Sequence, residues 1–453
     1  MLKSSTFFGA SLPVLAALLA ACTIFVSCKD EKDPAEKGTV TLVFWHGIES
    51  IRNGKVLEDL LERFHREHPG IRIVSQHYGA ADQVKGRIMT AIAGQSPPDL
   101  MWWGPQATGQ LARSGALQDV TALIRADDHF RKNTVPARLW KLCTYRDRLY
   151  AVPFDTNNLA LYYNKRHFRE AGIDPGTLNT WEDLRRAAIA LTEMKDEKGL
   201  TRRYGMQLPI GNSEWTVWTW QTFLWQAGGQ FLDKKEEKAR FNSQKGVRAL
   251  RFWIDLVYKD NAATFSKPGA GYKTADFIAG RVSMMINGPW NHGILEEARK
   301  KRGLEYGALM LPMKKKRATN IGGENLFMFK KDGKKKKAQW EFAKFVMSGE
   351  FQLEWATRTG YLPVNRHVYH HPAYRKYLAE NPFMDVYARQ MRHGNVRPTI
   401  PYYSRISSKL GKELERALYR KATAEEALNE AAAYASEKLR RMRRREAMMR
   451  EGD

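Results

Sequence analysis

Strand-like and helix-like segments alternate along this chain, and the alternation limits the possible folds more than any other feature. Residues 39–45 (TVTLVFW) are β-branched and aromatic, as in a buried strand. Residues 56–64 place Val, Leu and Phe at helical spacing, and residues 71–74 (IRIV) have the pattern of the next strand. A second helical pattern over 84–93 precedes a third strand at 100–103 (LMWW). The order predicts an α/β fold with mostly parallel sheets.

The same alternation resumes in the second part of the chain. Strands are predicted over 159–163 and 282–286, and helices over 181–194, 218–227 and 246–258. A chain of 453 residues can bury more than one hydrophobic core. We therefore expect at least two α/β units.

The chain carries a formal net charge of +25, much of it in the runs 314–317, 330–337 and 440–445. A strong positive field favours anionic partners such as a membrane surface or an acidic solute. Runs of this kind are also typical of solvated faces and loops, which is the interpretation we favour. No zinc-knuckle cysteine pattern or RNP-like aromatic strand accompanies them, so nucleic acid is not an expected partner.

The amino terminus predicts export. Residues 7–21 form an apolar, Leu- and Ala-rich run after Lys3, as in a secretory signal peptide. The tetrapeptide LAAC ending at Cys22 resembles a bacterial lipobox, and Cys28 is a second lipidation candidate because a polar segment follows it. We predict a lipoprotein signal peptide over 1–28 and a polar tether over 29–38. The alternative is an uncleaved membrane anchor, because the uncharged run is about long enough to span a bilayer.

Several short motifs resemble the bacterial extracellular solute-binding proteins of family 1, a group that includes maltodextrin-binding and glycerol-3-phosphate-binding proteins. The two most specific lie late in the chain, and together the motifs extend over essentially the whole mature chain. They are FWH (44–46), AGQSPPDL (93–100), VPF (152–154) with LYYNK (161–165), TWEDL (180–184), MINGPW (285–290) and TGYLPV (359–364).

The resemblance implies a two-lobe, type II periplasmic-binding-protein fold with a multi-strand hinge and a ligand cleft between the lobes. The expected amino-terminal lobe comprises 39–152 plus 280–330, and the carboxy-terminal lobe 153–279 plus 331–453. The implied function is to capture a mono- to oligosaccharide, by aromatic stacking and hydrogen bonding, for an ABC-type importer. The alternative ligand is an anionic solute such as glycerol-3-phosphate, a glycerophosphodiester or a uronate oligomer.

The resemblance also implies a set of ligand-binding residues. Trp290 and Trp103 match cleft tryptophans of maltodextrin binders, and Trp215 and Trp218 match a pair that flanks the ligand in glycerol-3-phosphate binders. A role in the core is the alternative for Trp290 and Trp103. Arg405 cannot be aligned with the arginine that contacts phosphate in those binders, which favours a neutral sugar. The other candidates are His46, Glu49, Gln106, Asp155, Asn157, Gly323, Glu324, Asn325 and Tyr361.

No catalytic motif accompanies this pattern. The chain lacks a Gly-x-Ser-x-Gly elbow, a Walker-type loop and a His-Glu-x-x-His helix. A pair of glycosidase carboxylates could still arise from the many acidic residues. We expect no enzymatic activity, no cofactor and no metal. The expected partners are a carbohydrate and the permease subunits, with the protein a monomer held by its lipid in the periplasm or at the cell surface.

Overall fold

The computed structural model describes residues 38–48, 51–79, 81–128, 134–195, 201–211, 213–267 and 270–451. The following description concerns the compact unit Val40–Asp453. Both candidate lipidation sites, Cys22 and Cys28, and the predicted ligand residue Glu49 lie outside the described residues. Within these ranges, no helix combines the length and the apolar character needed to cross a membrane.

Helices and strands alternate along the chain as the sequence predicts. In chain order, the elements up to residue 164 are β1 (Val40–His46), α1 (Ile51–Glu67), β2 (Ile71–His77), α2 (Ala81–Ala93), β3 (Leu100–Trp103), α3 (Thr108–Arg113), α4 (Thr121–Ala126), α5 (Ala137–Cys143), β4 (Thr144–Tyr145), β5 (Arg148–Leu149), β6 (Ala151–Pro153), β7 (Asn157–Asn158) and β8 (Ala160–Asn164). The next are α6 (Lys165–Glu170), α7 (Trp181–Ala190), β9 (Glu193–Lys195), β10 (Thr201–Leu208), α8 (Glu214–Gln226), α9 (Gln244–Tyr258), β11 (Ala263–Phe265), α10 (Ala275–Ile278), β12 (Val282–Asn287), α11 (His292–Arg302) and β13 (Tyr306–Leu309). The last are β14 (Thr319–Gly322), β15 (Asn325–Met328), α12 (Gly333–Met347), α13 (Gly349–Thr359), α14 (Pro372–Glu380), α15 (Pro382–Gln390), β16 (Gly394–Asn395), α16 (Tyr403–Leu418) and α17 (Ala424–Glu451).

The first sheet has the strand order β2-β1-β3-β15-β6. Strand β1 pairs in parallel with β2 and β3, whereas β15 runs antiparallel to β3 and β6. The apolar face of α1 covers this sheet, because Leu57, Leu60 and Phe64 are buried in one cluster with Leu42 and Phe44. The helical periodicity of α1 therefore fixes which side of the sheet it covers.

The second sheet has the order β11-β10-β12-β8-β13, and β9 pairs with β10 outside this path. Strand β10 is parallel to β11 and β12, and β8 is antiparallel to β12 and β13. Its core contains Trp181, Trp220 and Trp253, all essentially inaccessible to solvent. The strands β6, β8, β13 and β15 form the antiparallel pairs of both sheets. Each of them lies next to a segment where the chain passes from one sheet to the other, and not within a β-α-β unit.

A small third sheet, with the order β16-β14-β7, links the other two along the chain. Strand β7 lies between β6 of the first sheet and β8 of the second, and β14 lies between β13 and β15. These two strands are antiparallel, and β16 pairs in parallel with β14. The chain thus passes between the two large sheets on hydrogen-bonded strands.

The sheets divide the chain differently from the lobe boundaries that the sequence predicts. Within 280–330, predicted to return to the first lobe, β12 and β13 pair with β8 in the second sheet, and β15 alone joins the first. Within 331–453, predicted to form part of the second lobe, α12 and α13 pack on the first sheet, with Phe342 and Trp355 in its core. The boundaries were wrong there because an apolar strand such as β12 can pair in either sheet, and periodicity does not report its partner.

Candidate functional site

Four aromatic side chains, Trp215, Trp218, Tyr272 and Trp290, form what we call the aromatic cluster. Helix α8 supplies Trp215 and Trp218, which lie three residues apart on one face, with ring centroids 5.6 Å apart. The Trp290 centroid lies 6.1 Å from each of these rings and 5.6 Å from that of Tyr272. The structure therefore brings together three of the four tryptophans predicted to bind ligand.

A glycine-proline turn aims Trp290 at this cluster. The turn follows the end of β12, and a Cβ atom added at Gly288 would lie only 1.9 Å from the Trp290 ring. Only glycine leaves room for the indole to fold back over the turn. The Tyr162 hydroxyl also donates a hydrogen bond to the Gly288 carbonyl oxygen, which anchors the turn to β8. The residues GPW thus position Trp290 through local backbone geometry.

Several buried polar atoms at the predicted site have no hydrogen-bond partner among the described residues. They include the indole nitrogens of Trp218 and Trp290, the Asn157 side-chain oxygen and Glu324 Oε2. Asn157 lies close to Trp218, because a Cβ atom at Gly322 would meet both side chains within 2.7 Å. Buried polar groups are normally paired, so donors and acceptors together beside aromatic faces indicate a site for a polar molecule.

Trp103 and Gln106 lie in a different environment. Trp103 is buried in a core cluster with Trp45, Ala107 and Leu111. Its indole nitrogen and the side-chain oxygen of Gln106 also have no partner in the part of the chain that the structure describes. In register, Trp103 pairs with Asn325 of β15, next to Glu324. The rings in contact with Trp290 do not include Trp103.

A pair of carboxyl groups, Asp155 and Glu324, lies where the chain crosses between the sheets. Asp155 accepts hydrogen bonds from the Glu324 backbone N–H at 2.9 Å and from the indole nitrogens of Trp102 and Trp355 at 3.3 and 3.2 Å. Burial raises the pKa of both carboxyl groups, and the neighbouring Asp155 raises the pKa of Glu324 further. Because three donors favour the charged form of Asp155, Glu324 is the group that holds the proton.

The glycine pair Gly322-Gly323 lets this crossing pass close to other groups. Gly323 has φ +102°, and a Cβ atom there would lie 2.3 Å from the Asp155 carbonyl oxygen. The left-handed conformation and the close backbone contact both require glycine. The turn keeps the Glu324 carboxyl group next to Asp155.

Arg397 is a residue of this site that the sequence interpretation missed. Its side chain is 7% exposed, its guanidinium lies 5.5 Å from the Trp218 ring centroid, and its Nη1 is 2.8 Å from Glu214 Oε1. Arg405, the arginine considered from the sequence, is exposed and lies over Tyr402. The signal available was Glu214, an acidic residue placed directly before Trp215 at the start of α8.

Three predicted ligand residues are committed to other contacts. His46 bonds Ser75 Oγ through Nε2 and accepts the Ile48 N–H through Nδ1, and burial lowers its pKa to about 4. The Asn325 side chain donates to the Leu142 carbonyl oxygen and accepts from Cys143. Tyr361 packs beside Trp355, with ring centroids 6.0 Å apart. These contacts stabilise the first sheet and its surroundings.

Two surface cavities, of about 830 and 320 Å³, lie apart from the aromatic cluster. Asp119, Arg125 and Arg148 line the larger, and Trp181, Arg251 and Lys314 are among the residues that line the smaller. Neither is lined by the aromatic cluster. In the described ranges, no group of three or more His, Cys, Asp or Glu side chains is arranged to hold a metal ion.

Comparisons with known proteins agree with this architecture. Residues 59–381 match the family described as bacterial extracellular solute-binding protein. The chain is 26% identical to the maltotriose-binding protein of Pyrococcus abyssi, with 81% of this chain and 75% of the relative covered. It is 25% identical to the sn-glycerol-3-phosphate-binding periplasmic protein of Pectobacterium atrosepticum, over 93% of this chain and 95% of the relative.

Solved structures are similar over most of the chain. An ABC transporter solute-binding protein from Thermotoga lettingae, bound with α-D-tagatose, has a TM-score of 0.77 and 27% identity, covering 88% of this chain and 100% of that one. A cyclic α-maltosyl-1,6-maltose binding protein from Arthrobacter globiformis has a TM-score of 0.75 and 25% identity, covering 89% and 99%.

Proposed function

The chain belongs to the bacterial extracellular solute-binding proteins and has their two-lobe, type II fold, and on that premise we propose that it captures a carbohydrate for an ABC-type importer. Members of this family are binding components of transport systems, so we expect no turnover of a bound glycoside. We further propose that the protein acts as a monomer and releases its ligand to permease subunits.

The observation that supports a carbohydrate is the aromatic cluster with its unpartnered polar atoms. A sugar ring offers an apolar face that stacks on an aromatic ring, and hydroxyl groups that both donate and accept hydrogen bonds. The indole nitrogens of Trp218 and Trp290 supply donors, and Asn157 supplies an acceptor. Relatives that bind maltotriose, tagatose or cyclic maltosyl-maltose support the same class of ligand.

We propose that ligand binding closes the cleft by bending the crossing strands β7 and β14. Trp218 and Trp290 are attached to the second sheet, and Glu324 lies directly before β15 of the first. A ligand that contacts both groups favours the closed state over the open one. We expect the backbone torsion angles to change most at Gly322 and Gly323, at the end of β14.

A thermal-shift screen followed by calorimetric titration tests this proposal. The probes are maltose, maltotriose and tagatose as neutral sugars, and sn-glycerol-3-phosphate and glucuronate as anions. A ligand at 100 times its Kd stabilises the native state by about 2.7 kcal/mol. A shift with any neutral sugar supports the proposal. If anions alone raise the melting temperature, the carbohydrate assignment is wrong.

The second candidate ligand is an anionic solute, and Arg397 is the observation that favours it. This buried guanidinium lies against Trp218 of the aromatic cluster, and its Nε has no partner within the described ranges. Several relatives bind sn-glycerol-3-phosphate. The anionic arm of the same screen decides between the two ligand classes.

We also propose that a lipid on Cys22, or on Cys28, holds the mature protein at the membrane of the periplasm or the cell surface. The support is the apolar run of 7–21 followed by a lipobox-like tetrapeptide. Mass analysis of the mature amino terminus would show a diacylated cysteine at one of these positions, and globomycin treatment would leave the precursor uncleaved. A mature terminus beyond residue 30 without lipid would contradict the anchor.

A further inference from the structure

Arg397 is a buried cation whose charge is matched within the protein. Its guanidinium forms a 2.8 Å ion pair with Glu214 and lies over the face of Trp218. A buried charge is tolerated when an opposite charge and hydrogen bonds compensate it. The Arg397 guanidinium therefore lies beside the aromatic cluster, but its positive charge is already compensated by Glu214.

Glu214 is held firmly in this role. Its Oε1 accepts from Arg397 Nη1 at 2.8 Å and from the Tyr403 hydroxyl at 3.0 Å. Its Oε2 accepts from the Ser407 hydroxyl. Tyr403 is fully buried on α16 and bonds Gln221 as well, so its position is fixed by packing. Both carboxylate oxygens of Glu214 are engaged, and the carboxylate cannot leave Arg397 without breaking these bonds.

Two carboxyl groups, Glu324 and Asp155, also lie near Arg397. Arg397 is within electrostatic range of Glu324, since its positive charge opposes the rise in the pKa of that carboxyl group. Asp155 lies beyond Glu324 and carries the negative charge of the carboxyl pair. An anion beside Trp218 would thus meet a cation already paired and carboxylates close by. Coulomb repulsion between like charges a few ångströms apart is strong in a partly buried site.

We propose that Glu214 determines ligand specificity: by neutralising Arg397 it makes the site accept neutral carbohydrates and reject phosphate- or carboxylate-bearing ones. The proposal rests on the carbohydrate site proposed above. Glu214 acts through Arg397 and is a positioning residue for the ligand. Arg397 still offers its Nε–H to a neutral hydroxyl group, because that donor is not used in the ion pair.

The substitution Glu214→Gln tests this directly, because glutamine has nearly the same size and still accepts hydrogen bonds, but carries no charge. We expect the wild-type protein to bind sn-glycerol-3-phosphate very weakly in calorimetric titrations. Glu214→Gln should bind it at least tenfold more tightly, with an affinity that falls as NaCl is added. The best neutral sugar of the screen should bind both proteins within about threefold, a margin set by the loss of one charge-assisted hydrogen bond.

Two control variants separate the local effect from net charge and from lost hydrogen bonds. Glu350→Gln removes the same charge at an exposed position on α13 and should gain no affinity for the anion. Tyr403→Phe removes one hydrogen bond to Glu214 but leaves its charge, and should also gain none. The double variant Glu214→Gln/Arg397→Gln should lose whatever anion binding Glu214→Gln acquires.

A measurement on the unaltered protein keeps the proposal testable if Glu214→Gln does not fold. Inorganic phosphate at 100-fold excess should not compete with the neutral sugar. Competition by phosphate, or tight binding of sn-glycerol-3-phosphate by the wild type, overturns the proposal. Neutral-sugar binding with no gain in a folded Glu214→Gln variant overturns it too, but leaves the carbohydrate function standing. Failure of every neutral sugar would instead contradict the function itself.

Discussion

Replacing Trp290 by alanine tests whether the aromatic cluster is a binding surface or part of the core. Trp290 is half-buried, and its ring touches three others at centroid distances of 5.6 to 6.1 Å. Three aromatic contacts of about 0.5 kcal/mol each predict a loss of about 1.5 kcal/mol in the free energy of unfolding, in addition to the loss from the half-buried area of the ring. As a buried aromatic anchor for the sugar, Trp290 should contribute about 2–4 kcal/mol to binding, or about 30- to 900-fold in Kd.

The matched control is Trp253→Ala, because Trp253 is fully buried in the core of the second sheet. That variant should lose about 3–5 kcal/mol of stability, the cost of truncating a core aromatic. Urea melts measure the free energy of unfolding, and calorimetric titration with the best neutral sugar measures affinity, on each folded variant. If Trp290→Ala loses stability as Trp253→Ala does and keeps its affinity, Trp290 belongs to the core and the proposed site is wrong.

Two further predictions concern the chain crossing. The raised pKa of Glu324 means that its contribution to the free energy of unfolding is fully present below the unfolded-state pKa of about 4.3 and is lost as the pH rises through the raised value; Glu324→Gln should remove that loss from melts recorded from pH 4 to 8, and an unchanged profile would contradict the assignment. Gly323→Ala should destabilise the protein by at least about 2 kcal/mol, whereas Gly303→Ala, at φ +66° with no atom within 4 Å of the added Cβ, should cost about 1 kcal/mol; equal losses would show that the contact with Asp155 is not restrictive.

Local patterns predicted much of the fold. The helix α1 follows directly from apolar periodicity, because it presents its apolar residues to one core. The strands β1 and β3 follow from continuous apolar runs, because they are buried on both faces against two core clusters. The sheet assignment of β12 did not follow. Its residues VSMMIN are buried along their whole length, a pattern that fits the centre of any sheet. Its pairing with β8 and β10 depends on chain crossings that no short window of sequence contains.

The candidate site shows the same division between local and distant information. Motifs placed Trp215, Trp218 and Trp290 in the cleft, and the structure brings these three rings together. Arg397 was missed because its partner Glu214 is 183 residues away in the sequence. Glu214 beside Trp215 was a signal for a charged group at the site, but it does not identify the partner. His46 and Asn325 make hydrogen bonds within the protein, and their predicted contact with the ligand stays a prediction, since polar side chains next to a motif can serve the scaffold as well as a ligand.

The net charge of the protein is a poor guide to the charge that a ligand would meet. In the basic runs, Lys314 pairs with Glu182, and Lys331 and Lys335 pair with Asp99. At physiological ionic strength the field of an exposed charge is screened over about 8 Å. The carboxylate of Glu214 acts on Arg397 across 2.8 Å in a buried setting, where such screening is weak. The specificity of the cluster is therefore set by this one pair and the neighbouring carboxyl groups, and a protein of charge +25 can bind a neutral sugar.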